Sequence, residues 1–141
     1  MKNILILFSI ILLHSNLQGF GQVTEMEDRM VKVAILYPNE AGKTFDMDYY
    51  STRHMPMVAQ LFGEHLKGMT IDKGIAGRTP EEPVPFLAIG TFYFNSLEDY
   101  GNAFGPNAEK ILSDIPNYTD ITPIVQMSEV IYDNNKLKKD R

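Results

Sequence analysis

The chain has 141 residues, a net charge of −5 at pH 7 and no cysteine. Its length suits one domain with a sizeable core. The acidic balance argues against nucleic acids and anionic membranes as partners, because both attract basic surfaces. The lack of cysteine excludes disulfides and thiolate metal sites, so stability must come from packing.

Residues 1–22 have the pattern of a secretory signal peptide. A lysine near the start precedes an apolar run over residues 4–13, and small residues lie just before Gln22. The run is shorter than the ~20 residues of a membrane span. We therefore predict cleavage near Gly21, a periplasmic or extracellular protein, and no stable membrane insertion after cleavage.

Residues 30–37, MVKVAILY, predict the first strand, because β-branched and apolar residues run up to a Pro-Asn-Glu-Ala-Gly turn. Residues 45–62, FDMDYYSTRHMPMVAQLF, then predict a helix. Asp46 can cap its start by accepting from backbone N–H groups of the first turn, and Gly63 marks its end.

One stripe of this predicted helix is apolar and contains a histidine. At about 100° per residue, the stripe covers an arc roughly 100° wide and holds Met47, Tyr50, His54, Met57, Val58 and Leu61. Pro56 lacks a backbone donor, so it predicts a kink beside His54 at a cost of about 3 kcal/mol. Such a kink indicates either a built site or a bent packing helix.

Two more strands follow the helix. Residues 66–73 alternate as a strand does, and residues 74–85, GIAGRTPEEPVP, predict a long loop. Residues 86–94, FLAIGTFYF, form the clearest strand pattern, with Ala88 and Gly90 on the same face as three phenylalanines. Small residues there either leave a hollow over the sheet or let a helix approach closely.

A second helix and a last strand complete the pattern. Ser96 begins a capping sequence, and the helix breaks at Gly105-Pro106 before it resumes and ends near residue 116. Residues 118–132 predict the last strand, with Gln126 and Ser128 on one face. Residues 133–141 predict a charged, disordered tail.

The predicted order of strand, helix, strand, strand, helix, strand indicates a ferredoxin-like α+β domain over residues 30–132. In this βαββαβ arrangement both helices cover one face of a four-stranded antiparallel sheet. The third strand offers apolar residues to both faces. We therefore expect a homodimer that buries the uncovered sheet face.

Several segments resemble the EthD family of the dimeric α+β barrel superfamily. The resemblance covers residues 30–130 and lies in VKVAILYPN, FDMDYYSTRHMPMV, AIGTFYF and FGPNAEKILSDIPNYTDITPIVQMSEV. Its most specific part is the Tyr-x-x-x-His-x-Pro core at Tyr50, His54 and Pro56. The resemblance implies a dimeric α+β barrel with a pocket between helices and sheet.

The resemblance implies a range of chemistry. The family is named for a component associated with bacterial degradation of ethyl tert-butyl ether, and its members are often labelled reductases. Similar fungal proteins act as cofactor-free decarboxylases or dehydratases on aromatic polyketides. Relatives in the superfamily include small monooxygenases, lactone isomerases and haem-binding enzymes, so the fold does not fix the reaction.

His54 is the candidate catalytic residue, because an imidazole suits proton transfer near neutral pH. Tyr50, one turn earlier, can orient a substrate oxygen or relay a proton, and Gln126, Ser128 and Met57 are candidates for substrate contacts. Each has a structural alternative: a hydrogen-bonded core histidine, a core aromatic ring, core packing for Met57, or polar groups exposed at a dimer seam.

Three functions follow as hypotheses. The first is a cofactor-free acid/base enzyme, of lyase, decarboxylase or isomerase type, acting in catabolism on a small aromatic or lactone-like compound. The second is a binder of an apolar ligand or haem, or a reductase or monooxygenase accessory protein. The third is a purely structural dimer. No glycine-rich phosphate loop, G-x-S-x-G or H-E-x-x-H motif supports nucleotide, serine or zinc chemistry, and no metal is expected.

Overall fold

The computed structural model describes residues 30–133. The predicted signal peptide and all but the first residue of the predicted tail lie outside this range. Within residues 30–133, none of the helices has the length and apolar character needed to cross a lipid bilayer.

The domain is one antiparallel sheet covered on one face by helices, which is the ferredoxin-like α+β fold that the sequence predicts. The spatial order of the strands is β2-β3-β1-β4. The strands are β1 (Val31–Pro38), β2 (Gly68–Lys73), β3 (Phe86–Phe94) and β4 (Ile124–Glu129). This order leaves β2 and β4 as the edges of the sheet.

The last strand is shorter than the sequence predicts, because residues before Ile124 form hydrogen bonds with the start of the first helix instead of pairing in the sheet. The backbone N–H of Asp46 donates to the carbonyl of Tyr118 at 2.7 Å. The hydroxyl of Thr119 donates to the carbonyl of Thr44, also at 2.7 Å. These bonds hold Tyr118, which is 3% exposed, beneath the start of the first helix.

The first helix is not a continuous α-helix. An α-helical turn, α1 (Met47–Tyr49), leads into a π-helical turn (Tyr50–His54) and then into α2 (Met55–Phe62). Asp46 caps the start as predicted, with its carboxylate accepting from the N–H of Tyr49 at 2.9 Å. The N–H of Met55 donates to the carbonyl of Tyr50, five residues back, just before the proline that predicts a kink.

The π-helical turn changes which residues face the core. Beyond it, Met55, Val58 and Phe62 are buried at 1%, 2% and 3% exposure. Met57 and Leu61, which belong to the predicted stripe, are only partly buried. After His54 the predicted stripe is therefore right for Val58 and wrong for Met57 and Leu61, and it omits Met55 and Phe62. A wide turn accommodates one extra residue and rotates the positions that follow it.

The second helical region breaks where the sequence predicts. It contains α3 (Leu97–Phe104) and α4 (Ala108–Asp114), joined by a 3₁₀ turn (Gly105–Asn107). The hydroxyl of Ser96 accepts from the N–H of Asp99 at 3.0 Å, which confirms the predicted cap. A further 3₁₀ turn (Ile115–Asn117) follows α4 and leads to Tyr118.

Gly90 lets the helix layer approach the sheet closely, which is one of the two roles expected for small residues in β3. A Cβ atom at this position would overlap the hydroxyl of Tyr50 and lie 3.0 Å from Cε of Met55. Tyr50 is 1% exposed and packed among aromatic rings, so its hydroxyl has little room to move. The absence of a side chain at Gly90 therefore sets the depth of Tyr50 over the sheet.

Gly90→Ala is expected to destabilise the protein by about 1–2 kcal/mol. Overpacking costs ~1–3 kcal/mol, and it outweighs the ~0.4–1 kcal/mol gained by restricting the unfolded chain. Gly101→Ala is the control, since nothing lies within 4 Å of its added Cβ in α3. It is expected to stabilise by about 0.5–1 kcal/mol. Urea denaturation of both variants measures the difference, and equal midpoints would contradict the close approach.

Candidate active site

The centre of the site is a hydrogen bond between two helices. Nδ1 of His54 lies 2.8 Å from Oδ2 of Asp114, and the side chains are 6% and 17% exposed. His54 comes from the π-helical turn and Asp114 from the last residue of α4. The imidazole is also packed between aromatic rings, with the Tyr50 ring stacked at 5.8 Å and the Tyr118 ring at 4.6 Å.

Asp114 is held in place by two further donors. Its Oδ1 accepts from the hydroxyl of Tyr49 at 2.9 Å and from Nδ2 of Asn117 at 2.8 Å. Burial raises the pKa of Asp114, but the hydrogen bonds from His54, Asn117 and Tyr49 outweigh that effect and hold the pKa below its usual value. Asp114 is therefore an ionised acceptor at neutral pH.

The charge on Asp114 fixes the state of the imidazole. An ionised carboxylate can only accept, so Nδ1 of His54 must carry the hydrogen that it donates. Burial lowers the pKa of His54, against the opposing effects of the hydrogen bond and charge of Asp114. The imidazole is then neutral at neutral pH, with its lone pair on Nε2, the form that a general base requires.

A small apolar cavity lies beside this imidazole, between the helices and the sheet. Its volume is about 110 Å³. The lining is formed by side chains of β1, β3, β4 and both helical regions: Val33, Ile35, Tyr37, Tyr50, His54, Met55, Val58, Phe62, Phe92, Tyr100, Phe104, Ile111, Leu112, Ile115, Pro123 and Val125. The ionisable groups among these residues are the imidazole and three phenols.

Tyr50 places an unpaired hydroxyl in this apolar setting. No hydrogen-bond partner for the buried Tyr50 hydroxyl is found in the described part of the chain. A buried polar group without a partner costs ~1–3 kcal/mol. Burial also raises the pKa of Tyr50 far above its usual value, so the hydroxyl keeps its hydrogen. The Tyr50 side chain therefore lines the cavity, and its hydroxyl is an unpaired hydrogen-bond donor buried over Gly90.

Tyr37 and Tyr118 form a second polar feature. Their hydroxyl oxygens lie 2.6 Å apart, so one donates to the other. Burial raises the pKa of both phenols. Tyr37 lines the cavity, whereas Tyr118 packs against His54 from outside the lining. The pair thus supports the imidazole and leaves the hydrogen of one hydroxyl free to reorient.

The structure gathers some of the predicted site residues and separates others. His54 and Tyr50 line one cavity. Gln126 and Ser128 face the opposite side of the sheet, where Nε2 of Gln126 donates to the Ser128 hydroxyl at 3.0 Å. Met57 is partly buried against the core, and Met55 takes the cavity position instead. Strand alternation and the π-helical turn, respectively, explain these two corrections.

Asp114 is the main site residue that the sequence analysis missed. It ends α4, where the helix dipole disfavours a negative charge. A residue that is unfavourable in its local structure, such as an acidic residue at the end of a helix, often has a functional role. Tyr37 could have been identified from the sequence only weakly. It is an aromatic residue two positions beyond Ile35, on the helix-facing side of β1.

No group of three or more His, Cys, Asp and Glu side chains placed to hold a metal ion occurs within residues 30–133. His54 and Asp114 are thus a pair rather than part of a larger ligand cluster. The arrangement suits proton transfer through the free Nε2, with the carboxylate balancing the charge of a protonated imidazole.

The fold and the site together define a ferredoxin-like α+β domain with an imidazole–carboxylate pair beside an apolar cavity. The model of the EthD domain matches residues 40–122, a range that contains both members of the pair. Because this match spans more than half of the chain, the chain belongs to the EthD family. None of the curated proteins matches it at a significant level.

Solved structures agree with this assignment. The chain is 40% identical to an EthD-like protein from Ralstonia eutropha JMP134, with a TM-score of 0.73 and coverage of 77% of this chain and 97% of the other. It is 15% identical to an ethyl tert-butyl ether D (EthD) family protein from Bacillus halodurans C-125, with a TM-score of 0.52 and coverage of 72% and 99%. The second similarity is one of fold alone.

The lowered pKa of His54 predicts that stability falls as the pH drops below about 6.5. The folded state holds His54 neutral, whereas the unfolded chain binds the proton near pH 6.5. The stabilisation is therefore complete above that pH and is lost as the pH falls toward the folded pKa, by up to about 1.36 kcal/mol per unit of pKa difference. Urea titrations between about pH 7.5 and pH 5.5 should show this loss, and His54→Asn should remove most of it. An unchanged slope in the variant would contradict the assignment.

Asp114→Asn is expected to lower the pKa of His54 further, because it removes the carboxylate charge that favours the imidazolium. It should also free the choice of tautomer, since an amide can either donate to Nδ1 or accept from it. Nitrogen-15 NMR of the imidazole measures both quantities. Asp99→Asn is the matched control, because Asp99 bonds Nδ1 of the more exposed His65 at 3.2 Å. A His54 signal that is unchanged by Asp114→Asn would show that the pair is not coupled.

Proposed function

We propose that this protein is a cofactor-free acid/base enzyme of lyase, decarboxylase or isomerase type, acting on a small aromatic or lactone-like compound. The observation that carries the proposal is the hydrogen bond from Nδ1 of His54 to Asp114. It leaves Nε2 as the basic nitrogen of a residue that lines an apolar cavity. His54 is the general base, and Asp114 is the residue that positions it.

The proposed chemical step is proton transfer at a carbon next to a carbonyl group of the substrate. Nε2 of His54 takes the proton, and the electron pair of the broken C–H bond moves toward the substrate oxygen. The Tyr50 hydroxyl then donates a hydrogen bond to that oxygen as its negative charge develops. Asp114 balances the imidazolium until the proton is returned to the product.

The size and lining of the cavity support a small, apolar substrate. Its volume of about 110 Å³ lies below the ~300–1,000 Å³ that is usual for pockets of drug-sized ligands. An engineered apolar cavity of ~150 Å³ is known to hold benzene. The present cavity is smaller than that one, so a compound with a single ring is the largest that it would enclose.

The second candidate function is binding without catalysis, and one observation favours it. Apart from four ionisable groups, every side chain that lines the cavity is apolar. An apolar ligand would fill this space without needing the imidazole. The two functions differ in whether loss of His54 removes a reaction or only weakens binding.

We also propose that the protein is exported and that it forms a homodimer. The sheet face opposite the helices carries Leu36, Ile89 and Tyr93, which are only partly buried, together with the charged residues Lys32 and Asp72. A second copy packed on this face would bury the apolar side chains and leave the cavity on the helix side of each sheet.

His54→Asn is expected to abolish catalysed hydrogen–deuterium exchange at acidic C–H groups. The wild-type protein in D₂O should accelerate exchange in single-ring compounds such as phenylacetone or small unsaturated lactones, followed by proton NMR. Loss of the base should slow that exchange by ~10²–10⁴-fold. His65→Asn is the matched control, because it removes another histidine that is paired with an aspartate but lies outside the cavity lining. Equal rates in wild type and His54→Asn would disprove the catalytic proposal.

Tyr50→Phe tests the proposed donor in the same assay. Removing an unpaired buried hydroxyl should stabilise the fold by about 1–3 kcal/mol. The exchange rate should nevertheless fall by ~10²-fold, since a preorganised donor to the developing oxyanion is lost. A variant that gains stability and keeps its full rate would show that Tyr50 is a core residue only.

A further inference from the structure

The cavity opens to the surface through an apolar mouth between α4 and β4. Leu112 and Val125 line the cavity, yet they are 53% and 49% exposed. Pro123, also in the lining, is partly exposed. Apolar side chains therefore form this way in from solvent, whereas His54, Tyr37 and Tyr50 are buried in the interior.

The apolar surface continues beyond this mouth along β4. Val125 and Met127 lie on the helix-facing side of the strand, opposite Ile35 and Val33 of β1. Met127 is nevertheless 49% exposed, because β4 is an edge of the sheet that the helices do not cover. Two residues of a strand span about 7 Å. Leu112, Val125 and Met127 thus form a short apolar strip that leads out of the cavity.

The polar groups lie at the opposite end of this path. Tyr50, His54 and Tyr37 are 1%, 5% and 2% exposed, and all three line the cavity. A ligand that places its polar atoms against these groups has an apolar route along which its remaining atoms can leave. The cavity and the strip together fit a molecule with a polar, ring-sized end and an apolar, linear end.

We propose that the site accepts a single-ring aromatic compound bearing a short alkyl chain, with the ring in the cavity and the chain along the apolar strip. This inference rests on the proposed function in placing the ring beside His54, but it does not depend on the reaction. The strip is continuous with the cavity and only about 7 Å long. That length fits a short alkyl chain. The other exposed apolar residues in and just after β4, Ile124, Ile131 and Tyr132, do not line the cavity.

The test compares the affinities of three phenols that carry a methyl, a propyl or a pentyl group opposite the hydroxyl. Binding to the protein is followed by NMR shifts of His54. A fully buried methylene contributes ~0.8 kcal/mol, or about fourfold in affinity. The strip covers only one side of the ligand's alkyl chain, so we expect the affinity to rise about twofold per methylene. The pentyl compound should therefore bind roughly 15-fold more tightly than the methyl compound. Affinities that do not rise with chain length would overturn the proposal.

Met127→Gln is the variant that separates the strip from the cavity, because Met127 lies outside the cavity lining. It should lower the affinity for the pentyl compound by several-fold and leave that for the methyl compound unchanged. Met127→Leu should keep the increase with chain length. Leu97→Gln is the control, since Leu97 is an exposed helical leucine (56%) that does not line the cavity. An unaltered chain-length dependence in Met127→Gln would overturn the proposal.

Two further outcomes distinguish the alternatives. If a second copy of the chain covers the strip, the affinity will not depend on chain length and Met127→Gln will shift the sedimentation coefficient toward a smaller species, which would overturn the proposal. If the affinity rises with the length of the alkyl chain while no hydrogen–deuterium exchange is catalysed, the proposed alkyl-aromatic ligand is supported. The proposed catalytic role of His54 is then wrong.

Discussion

The hydrogen bond between His54 and Asp114 is the interaction on which the site depends. It joins the two helical regions across a gap of 60 positions in the chain and orients the imidazole so that Nε2 is its basic nitrogen. Asn117 and Tyr49 hold the carboxylate from the other side. Burial keeps the imidazole neutral, and the carboxylate compensates when a proton arrives. This balance makes a buried histidine usable as a base.

The backbone around His54 is shaped to make this contact. The π-helical turn ends at His54 and adds a residue to the turn, just before a proline that cannot donate to the preceding turn. The same turn directs Tyr50 toward Gly90, where only a glycine leaves room for its hydroxyl. An unpaired donor and a widened helical turn both cost stability, and such costs are commonly found at functional sites. The π-helical turn and the glycine in β3 therefore together set the positions of His54 and Tyr50.

The cavity divides the functional possibilities by size and polarity. Three of its four polar groups, His54, Tyr37 and Tyr50, are deeply buried, and its mouth is apolar. Binding energy for a ligand must then come chiefly from contact with the walls, while the imidazole and phenols fix orientation. An enzyme and a binding protein would share these walls. What separates them is the use of the basic nitrogen, which proton transfer requires and burial of an apolar ligand does not.

The sequence by itself determined the element order, both N-caps, the breaks at Gly63 and Gly105, and the family, because these depend on local hydrogen bonding, backbone freedom and alternation. It also singled out His54 and Tyr50. Only the tertiary structure decided which residues join them. Asp114 lies 60 positions away, a contact that no local pattern encodes. The π-helical turn moved Met57 out of the lining and Met55 into it, and the pairing of β4 with β1 turned Gln126 and Ser128 to the far face. Register and helix phase are set by packing against distant partners, so one extra residue in a single turn rotates the positions that follow it.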